Sequence, residues 1–413
     1  MIFEEMKQTV NKQAFLRKKN GDRYADQEEL KCMNEYVLSE RFDPDIDRLI
    51  RGDYYFDLPT LILVRKGHSD RRRKAFSFSP ENKVILQYLT FMMMERYDDR
   101  FPDTLYSFRK DRPVRRLFYE IRKVDPDRQK YVVKADVQSF GESIDPEVLG
   151  EMLKVWFSDE PEFYAFLMWL ITRNEYIRSG HVEQGFTSVL PGNPIVSFLQ
   201  NIFLLELDDD LREISLIYSR YTDDICMICE DRETAERGMR LLREKLRLLR
   251  LTVNGEKTEI LEPGQPFDLL GIRFAAEYCD IADNSYFKVC ARMKHRADNL
   301  RRKVSEGKIS REEGLRRMSG FINRYYYGIE EENEKRWIDQ FFPFINRVER
   351  LEKLDHLSQE CFRVIATGRH TNAKYRFRYS EIKKLGYVPL VHSYYRYRDR
   401  KREKHPELGN QVT

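Results

Sequence analysis

The stretch "SRYTDDICMIC", residues 219–229, restricts the fold more than any other part of the chain. β-Forming apolar residues flank two adjacent aspartates, Asp223 and Asp224, so the pattern predicts a hairpin apolar enough to lie inside a sheet, with two like charges at its tip. A solvated turn accounts for such a pair, since Asp favours turns through hydrogen bonds to its own backbone. A cation shared by the two carboxylates would also account for it, because it cancels their repulsion. Residues elsewhere have to separate the two readings.

With 413 residues, 41% of them hydrophobic, the chain can bury a large core, and two or three domains are expected. No apolar run approaches the ~18 residues of a membrane span, and "MIFEEMKQTV" lacks a signal-peptide pattern; a soluble, cytoplasmic protein without a membrane partner is expected. Of the six cysteines (Cys32, Cys226, Cys229, Cys279, Cys290, Cys361), only Cys226 and Cys229 form a C-x-x-C. On a strand those two point to opposite faces, which argues against a zinc site and for reduced, buried thiols. Lys and Arg total 73 against 69 Asp and Glu, so the local distribution of charge matters more than the net +4. Residues 366–404 hold twelve Lys/Arg, three Asp/Glu and six tyrosines. Cations hold phosphates and aromatic faces stack on bases, which suits single-stranded nucleic acid; a solvated basic tail with a few core tyrosines is the other reading.

Residues 1–50 read as polar helices with a turn at "RFDPDID". From "YYFDLPTLILVRKG" the pattern becomes strand-like, and "PENKVILQYLTFMMMERY" has helical apolar spacing, its methionines serving helix packing. "KYVVKADV" is a β-rich run ending in Asp136. Asp145 followed by Pro146 marks a helix start, and residues 151–180 are expected to be helical. "ETAERGMRLLREKLRLL" places Ala235, Met239, Leu242, Leu246 and Leu249 on one helix face. "LTVNGEKTEIL" predicts two short strands around an Asn-Gly turn, and the chain beyond about residue 290 reads as helical. The order is that of an α+β core followed by a helical appendage.

Nucleotidyl transfer by two Mg²⁺ ions about 4 Å apart needs carboxylates from separate segments meeting at one point. Mg²⁺ takes oxygen ligands and keeps several waters, so two or three aspartates suffice. Asp136 at one strand end and Asp223–Asp224 at a hairpin tip form such a set if their strands are neighbours.

Here the sequence resembles the reverse transcriptases. "YTDD" resembles their Tyr-x-Asp-Asp motif, and other blocks follow in the family's order. "LYSFRKDRPVRRL" is similar to a finger motif, "VVKADVQSFGESI" to the strand carrying the first metal-binding aspartate, and "LPGNPIVSFLQNIFLLELD" to the Pro-Gln-Gly block. "LTVNGEKTEIL" resembles the segment with a lysine near the triphosphate, and "FDLLGIRF" the primer-grip hairpin. The blocks cover roughly residues 60–275. The style is that of bacterial retron and group II intron enzymes, and "EIKKLGYVPLVHSYYRYR" resembles the tails of stand-alone, defence-associated members.

The resemblance implies a right-hand polymerase: an N-terminal helical extension (1–58), fingers and palm with an antiparallel palm sheet (59–280), a helical thumb (281–360) and a basic, Tyr-rich C-terminal segment (361–413). It implies that Asp136, Asp223 and Asp224 hold two Mg²⁺ ions, with Mn²⁺ as a substitute. Lys257 would protonate the leaving pyrophosphate, or is a surface lysine after the turn. Lys66, Arg73, Arg109 and Gly192 would meet the dNTP, although "RKGHSDRRRK" also reads as a plain basic loop; Tyr221 and Gly271 would meet the primer. The family places an aromatic sugar gate five residues after its first aspartate, where Gly141 stands here. Either neighbouring Phe140 serves as the gate, or discrimination against ribonucleotides is relaxed. Pro191 stands where the family has Gln beside the nascent base pair.

The implied function is RNA-directed DNA synthesis: a primer 3′-hydroxyl attacks the α-phosphate of a dNTP, and DNA is made on an RNA template. An antiviral role with a dedicated noncoding RNA is in keeping with the resemblance, and an oligomer is compatible with it. Template-independent, repetitive or protein-primed synthesis is an alternative motivated by Pro191, and an idle RNA-binding scaffold is a third reading.

Overall fold

The computed structural model describes residues 2–21, 26–65, 72–125, 127–185, 188–328, 336–368 and 375–404. The chain forms two compact units, one of residues 1–126 and 130–263, the other of residues 127–129 and 264–413.

Among the described residues the first unit holds eight strands: β1 (Thr60–Arg65), β2 (Arg72–Ser77), β3 (Tyr131–Asp136), β4 (Tyr176–Arg178), β5 (His181–Glu183), β6 (Ile217–Tyr221), β7 (Asp224–Cys229) and β8 (Glu259–Leu261). They make two four-stranded sheets, in the orders β2-β1-β4-β5 and β6-β7-β3-β8. Every pairing in the second sheet is antiparallel. Its central strands β3 and β7 bury Val132, Val133 and Ala135 on the one and Ile225 to Cys229 on the other, as central strands do. Helix Arg232–Leu248 lies against β3 and β7 and buries Ala235, Met239, Leu242 and Leu246, the face expected from its period.

Helix Pro80–Tyr97 is apolar nearly all round and accordingly buried nearly all round, including Met92, Met93 and Met94. The N-terminal helices Ile2–Met6, Thr9–Asn20 and Gln27–Val37 pack on it, and the Tyr88 hydroxyl donates to the Met6 carbonyl at 2.8 Å. This segment therefore belongs to the core of the first unit.

Three local expectations need correction. "RFDPDID" is not a turn but the start of helix Phe42–Arg51. Pro44 sits in the first turn, where its missing N–H goes unneeded, and Phe42, Ile46 and Leu49 are buried on one face. Residues 151–180 are not continuously helical: helices Pro146–Trp156 and Pro161–Thr172 are followed by the β4–β5 hairpin, which pairs Tyr176 with Glu183. "LTVNGEKTEIL" contributes one strand, β8, while Val253 makes only an isolated bridge to Val137. The Asp145 cap is as expected, accepting from the Glu147 and Val148 N–H groups.

The second unit opens with a three-stranded antiparallel sheet, β9 (Phe267–Leu269), β10 (Ile272–Phe274) and β11 (Cys279–Ile281). Leu270 (φ 47°) and Gly271 (φ 97°) make the two-residue turn between β9 and β10 in the left-handed region. Helices Asp283–Ser305, Arg311–Tyr327 and Glu349–Thr367 pack against one another. Buried Asp355 caps the last described helix, Leu390–Lys404, accepting from the Leu390 and Val391 N–H groups at 2.7 and 3.0 Å and from the Tyr387 hydroxyl at 2.6 Å. Among the described residues no helix is long and apolar enough to cross a membrane.

Candidate active site

The β6–β7 hairpin has a two-residue loop, Thr222 and Asp223, closed by the pair Tyr221–Asp224. Thr222 lies at φ 57°, an outlier for a β-branched residue, and its hydroxyl donates to the Tyr221 carbonyl at 2.7 Å. On its other side β7 pairs with β3 so that Asp224 faces Asp136. Directly opposed residues of antiparallel strands share a face, with Cβ atoms about 5 Å apart. Tyr221, Asp224 and Asp136 thus form one row across three strands, and the Val137 N–H donates to the Asp223 carbonyl at 3.3 Å. The sheet brings Asp136 to the adjacent pair Asp223–Asp224, which begins 87 positions further along the sequence.

Crowding has an electrostatic consequence. Desolvation, then the field of Asp136, raises Asp223 above the ordinary carboxylate range; desolvation, then the charge of Asp223, raises Asp224 likewise. Asp136 is met by two side chains from the turn before β8. Lys257 Nζ donates to one carboxylate oxygen at 2.6 Å and Asn254 Nδ2 to the other at 2.9 Å. The Asn254 backbone N–H also bonds the Asp136 carbonyl at 2.7 Å. Burial works against the Lys257 ammonium, but Asp136 outweighs it and holds the lysine above its usual pKa.

Among the described residues no three Asp, Glu, His or Cys side chains stand as a ready-made metal cage. The donor set nonetheless fits hard divalent cations: mutually repelling carboxylate oxygens from two strand ends. Asp136, Asp223 and Asp224 are the residues that would hold such ions.

The other expected residues fall into three groups. Tyr221, Gly192 and Arg73 lie at the surface. Tyr221 is 36% exposed beside Asp224, and Arg73 is exposed on β2 opposite Val64. Gly192 (φ 100°) lies against the backbone of Phe76, whose N–H donates to the Pro191 carbonyl at 2.7 Å. Gly271 belongs to the second unit, and Lys66 lies outside the described residues.

Arg109 and Phe140 are corrections. The Arg109 side chain is 4% exposed and its guanidinium is spent, Nε on the Asp98 carboxylate at 2.6 Å, Nη1 on the Pro102 carbonyl and Nη2 on the Asp98 carbonyl, both at 2.7 Å. It clamps a loop and has little left for a triphosphate. Phe140 is 2% exposed and packs toward Phe203, centroids 6.4 Å apart. Ser139, at φ 49°, turns the chain so that this ring enters the core. Gly141 is partly exposed, and a Cβ there would stand 3.6 Å from Gln200 Nε2. Phe140→Ala should therefore act as a core truncation, costing about 3–5 kcal/mol, without altering the choice between ribo- and deoxynucleotides. Competition kinetics with both sugars check this; a rise in ribonucleotide use in the variant would restore the ring as a gate.

Sequence reasoning missed Asn254 and Arg220. In the sequence Asn254 reads as half of an Asn-Gly turn, and its position three residues before Lys257 is the available signal. Arg220, between Ser219 and Tyr221 in the hairpin, carries no comparable local signal.

Acids meeting at the open end of an antiparallel sheet, with a lysine and an aromatic ring beside them, suit metal-assisted phosphoryl chemistry of the nucleotidyltransferase class. Residues 66–274, about half of the chain, match the family described as reverse transcriptase (RNA-dependent DNA polymerase). The chain belongs to that family, whose members are RNA-directed DNA polymerases. Among solved structures it is similar to apo telomerase from Candida tropicalis truncated from the C-terminal domain, at 10% identity and a TM-score of 0.42. That match covers 54% of this chain and 55% of the telomerase chain, so only about half of each is compared. No curated protein matches.

Proposed function

We propose that the chain is a Mg²⁺-dependent RNA-directed DNA polymerase that extends a primer with dNTPs. The observation that carries this reading is the row Tyr221–Asp224–Asp136, with Asp223 at its turn and Lys257 on Asp136. Tyr221 would seat the primer terminus. The three carboxylates would hold the metal ions, which supply charge neutralisation at the transferring phosphate when bound. Lys257, at the edge of this row, is suited to hand a proton to the departing pyrophosphate. Arg73, Lys66 and the Gly192 loop would receive the triphosphate. Gly271 and the four-part division into extension, fingers and palm, thumb and C-terminal segment follow from the resemblance.

The C-terminal helix supports an RNA partner. Tyr387 and Tyr394 are buried in its packing, whereas Tyr395, 51% exposed, shares one face with exposed His392, Arg396 and Arg400. Deleting the segment from Tyr387 would strip Asp355 of its partners and confuse binding with folding, so surface substitutions are the cleaner test. Tyr395→Ala combined with Arg396→Glu and Arg400→Glu should weaken RNA binding and reduce the log–log salt slope by about 1–2, at ~0.7 per lost phosphate contact on a single strand. Unchanged affinity and slope in filter binding across salt concentrations would reduce this helix to a solvated surface. The resemblance to stand-alone, defence-associated bacterial members supports a cytoplasmic role in anti-phage defence with a noncoding RNA. Sequencing the nucleic acid that copurifies with the protein, and the DNA it makes, tests both template and role. A second reading, template-independent or protein-primed synthesis, is favoured by Pro191, which offers only its carbonyl, already bonded to Phe76. Product whose sequence is independent of any added RNA would select it.

A further inference from the structure

Arg220 is the largest fully buried side chain in the first unit, at 0% exposure, and it lies two residues before the outlier Thr222. Its partner Asp208, in helix Leu205–Ile214, is also 0% exposed. Nε and Nη2 grip the two carboxylate oxygens at 2.6 Å each, and the Tyr218 hydroxyl donates to the same carboxylate at 2.6 Å. Burial opposes the Arg220 charge, but the carboxylate outweighs it and holds the pKa above the ordinary arginine value. Desolvation pushes Asp208 the other way, up from the usual carboxylate range; the paired short bonds are those of a carboxylate with a guanidinium.

A wholly buried ion pair contributes little net stability, and well-packed apolar residues of similar volume often do as well or better. What the pair does with its remaining donors is therefore informative. Nη2 also reaches the Asn201 carbonyl at 3.1 Å, and Nη1 reaches the Thr222 carbonyl at 3.3 Å. Asn201 is itself locked, donating to the Ser107 carbonyl and accepting from the Ser107 hydroxyl, both at 3.0 Å. The Arg220 backbone bonds Thr104 and Tyr106 on the neighbouring segment. The Thr222 carbonyl belongs to the peptide that leads into Asp223, so its orientation sets the direction in which Asp223 leaves the turn.

We propose that Arg220 is a positioning residue for the metal-binding carboxylates: held by Asp208, it fixes the Thr222–Asp223 peptide in its left-handed turn and so presets Asp223 and Asp224 against Asp136. This deepens, and rests on, the reading of those acids as the metal site. Groups standing behind metal ligands in this way typically change affinity or activity 10–100-fold when removed.

The test replaces the charges by apolar volume in the triple variant Arg220→Met, Asp208→Leu, Tyr218→Phe. Expected are a Tm close to that of the parent, Mn²⁺ binding to the protein alone, followed by paramagnetic resonance of the free ion, weaker by about tenfold, and kcat at saturating Mn²⁺ lower by about tenfold or more. Parental Mn²⁺ affinity and kcat in a folded triple variant would overturn the proposal. If the triple variant does not fold, Arg220→Lys takes its place. That variant keeps the charge opposite Asp208 but, as a single ammonium, cannot span Asp208 and Thr222 together. The same losses are expected, and parental values overturn the proposal. Asp136→Asn run in parallel separates the two levels: its parental activity would sink the metal-site reading, whereas its inactivity beside an unaffected network variant would sink only the role of Arg220.

Discussion

Asp223→Ala combined with Asp224→Ala should lower dNTP incorporation by about a thousandfold or more, since the ligands that would hold the cations at the transferring phosphate are lost. The same variant should fold, and without added metal it should melt no lower than the parent. Folding raises the pKa of both carboxyls. A carboxyl raised in this way favours the folded state while protonated and works against it once pH rises through its folded value. At neutral pH the pair therefore opposes folding, and alanine removes that opposition. The Tm advantage of the variant in chelator should shrink as pH falls into the carboxylate range, whereas added Mg²⁺ should stabilise the parent and not the variant. Calorimetry from pH 4 to 8, with and without metal, measures this. A parent that melts higher than the variant in chelator at neutral pH, or a variant that still extends primers at the parental rate, would contradict the site.

Gly192→Ala should impair both stability and substrate binding. At φ 100° an alanine is strained, and its Cβ would stand 2.7 Å from the Phe76 carbonyl oxygen and 3.1 Å from the Phe76 nitrogen, both backbone atoms with little freedom to give. Phe76 is anchored on its other side, its ring edge-on to Tyr176 at 5.2 Å. Relief of the clash has to push β2 away from the Pro191–Gly192 loop and break the Phe76–Pro191 hydrogen bond. A loss on the order of 3 kcal/mol is expected, which for a unit of this size lowers Tm by roughly 6–12 °C. Because β2 also carries Arg73, the KM for dNTP should rise more than kcat falls. A variant with parental Tm and KM would show that this close approach is dispensable.

Much of this site was legible in the chain itself. The apolar flanks of Asp223–Asp224 predicted their hairpin, the β-rich run before Asp136 predicted its strand, and Asp145–Pro146 predicted a helix start. Each signal is local: side-chain period, turn chemistry and capping depend on neighbours within a few residues, and those neighbours are written in order. The order of the blocks placed the acids in one family.

Which partner each side chain took was decided only in three dimensions. Arg109 and Arg73 read alike as cations in finger motifs; Asp98 and two carbonyls captured the first, and the second stayed on the surface. Phe140 and Gly141 stood as rivals for one role until the Ser139 turn sent the ring into the core. "RFDPDID" could turn or coil, and burial of Phe42, Ile46 and Leu49 chose the helix. Arg220 gave no signal as one charge in an apolar strand, because its meaning lies in Asp208 on a helix and in a carbonyl two residues ahead. Local propensity is read from neighbours in sequence, whereas buried charges and rings take their roles from competition among groups that only packing brings within reach. That competition, settled by desolvation and hydrogen-bond geometry, is what a one-dimensional pattern does not contain.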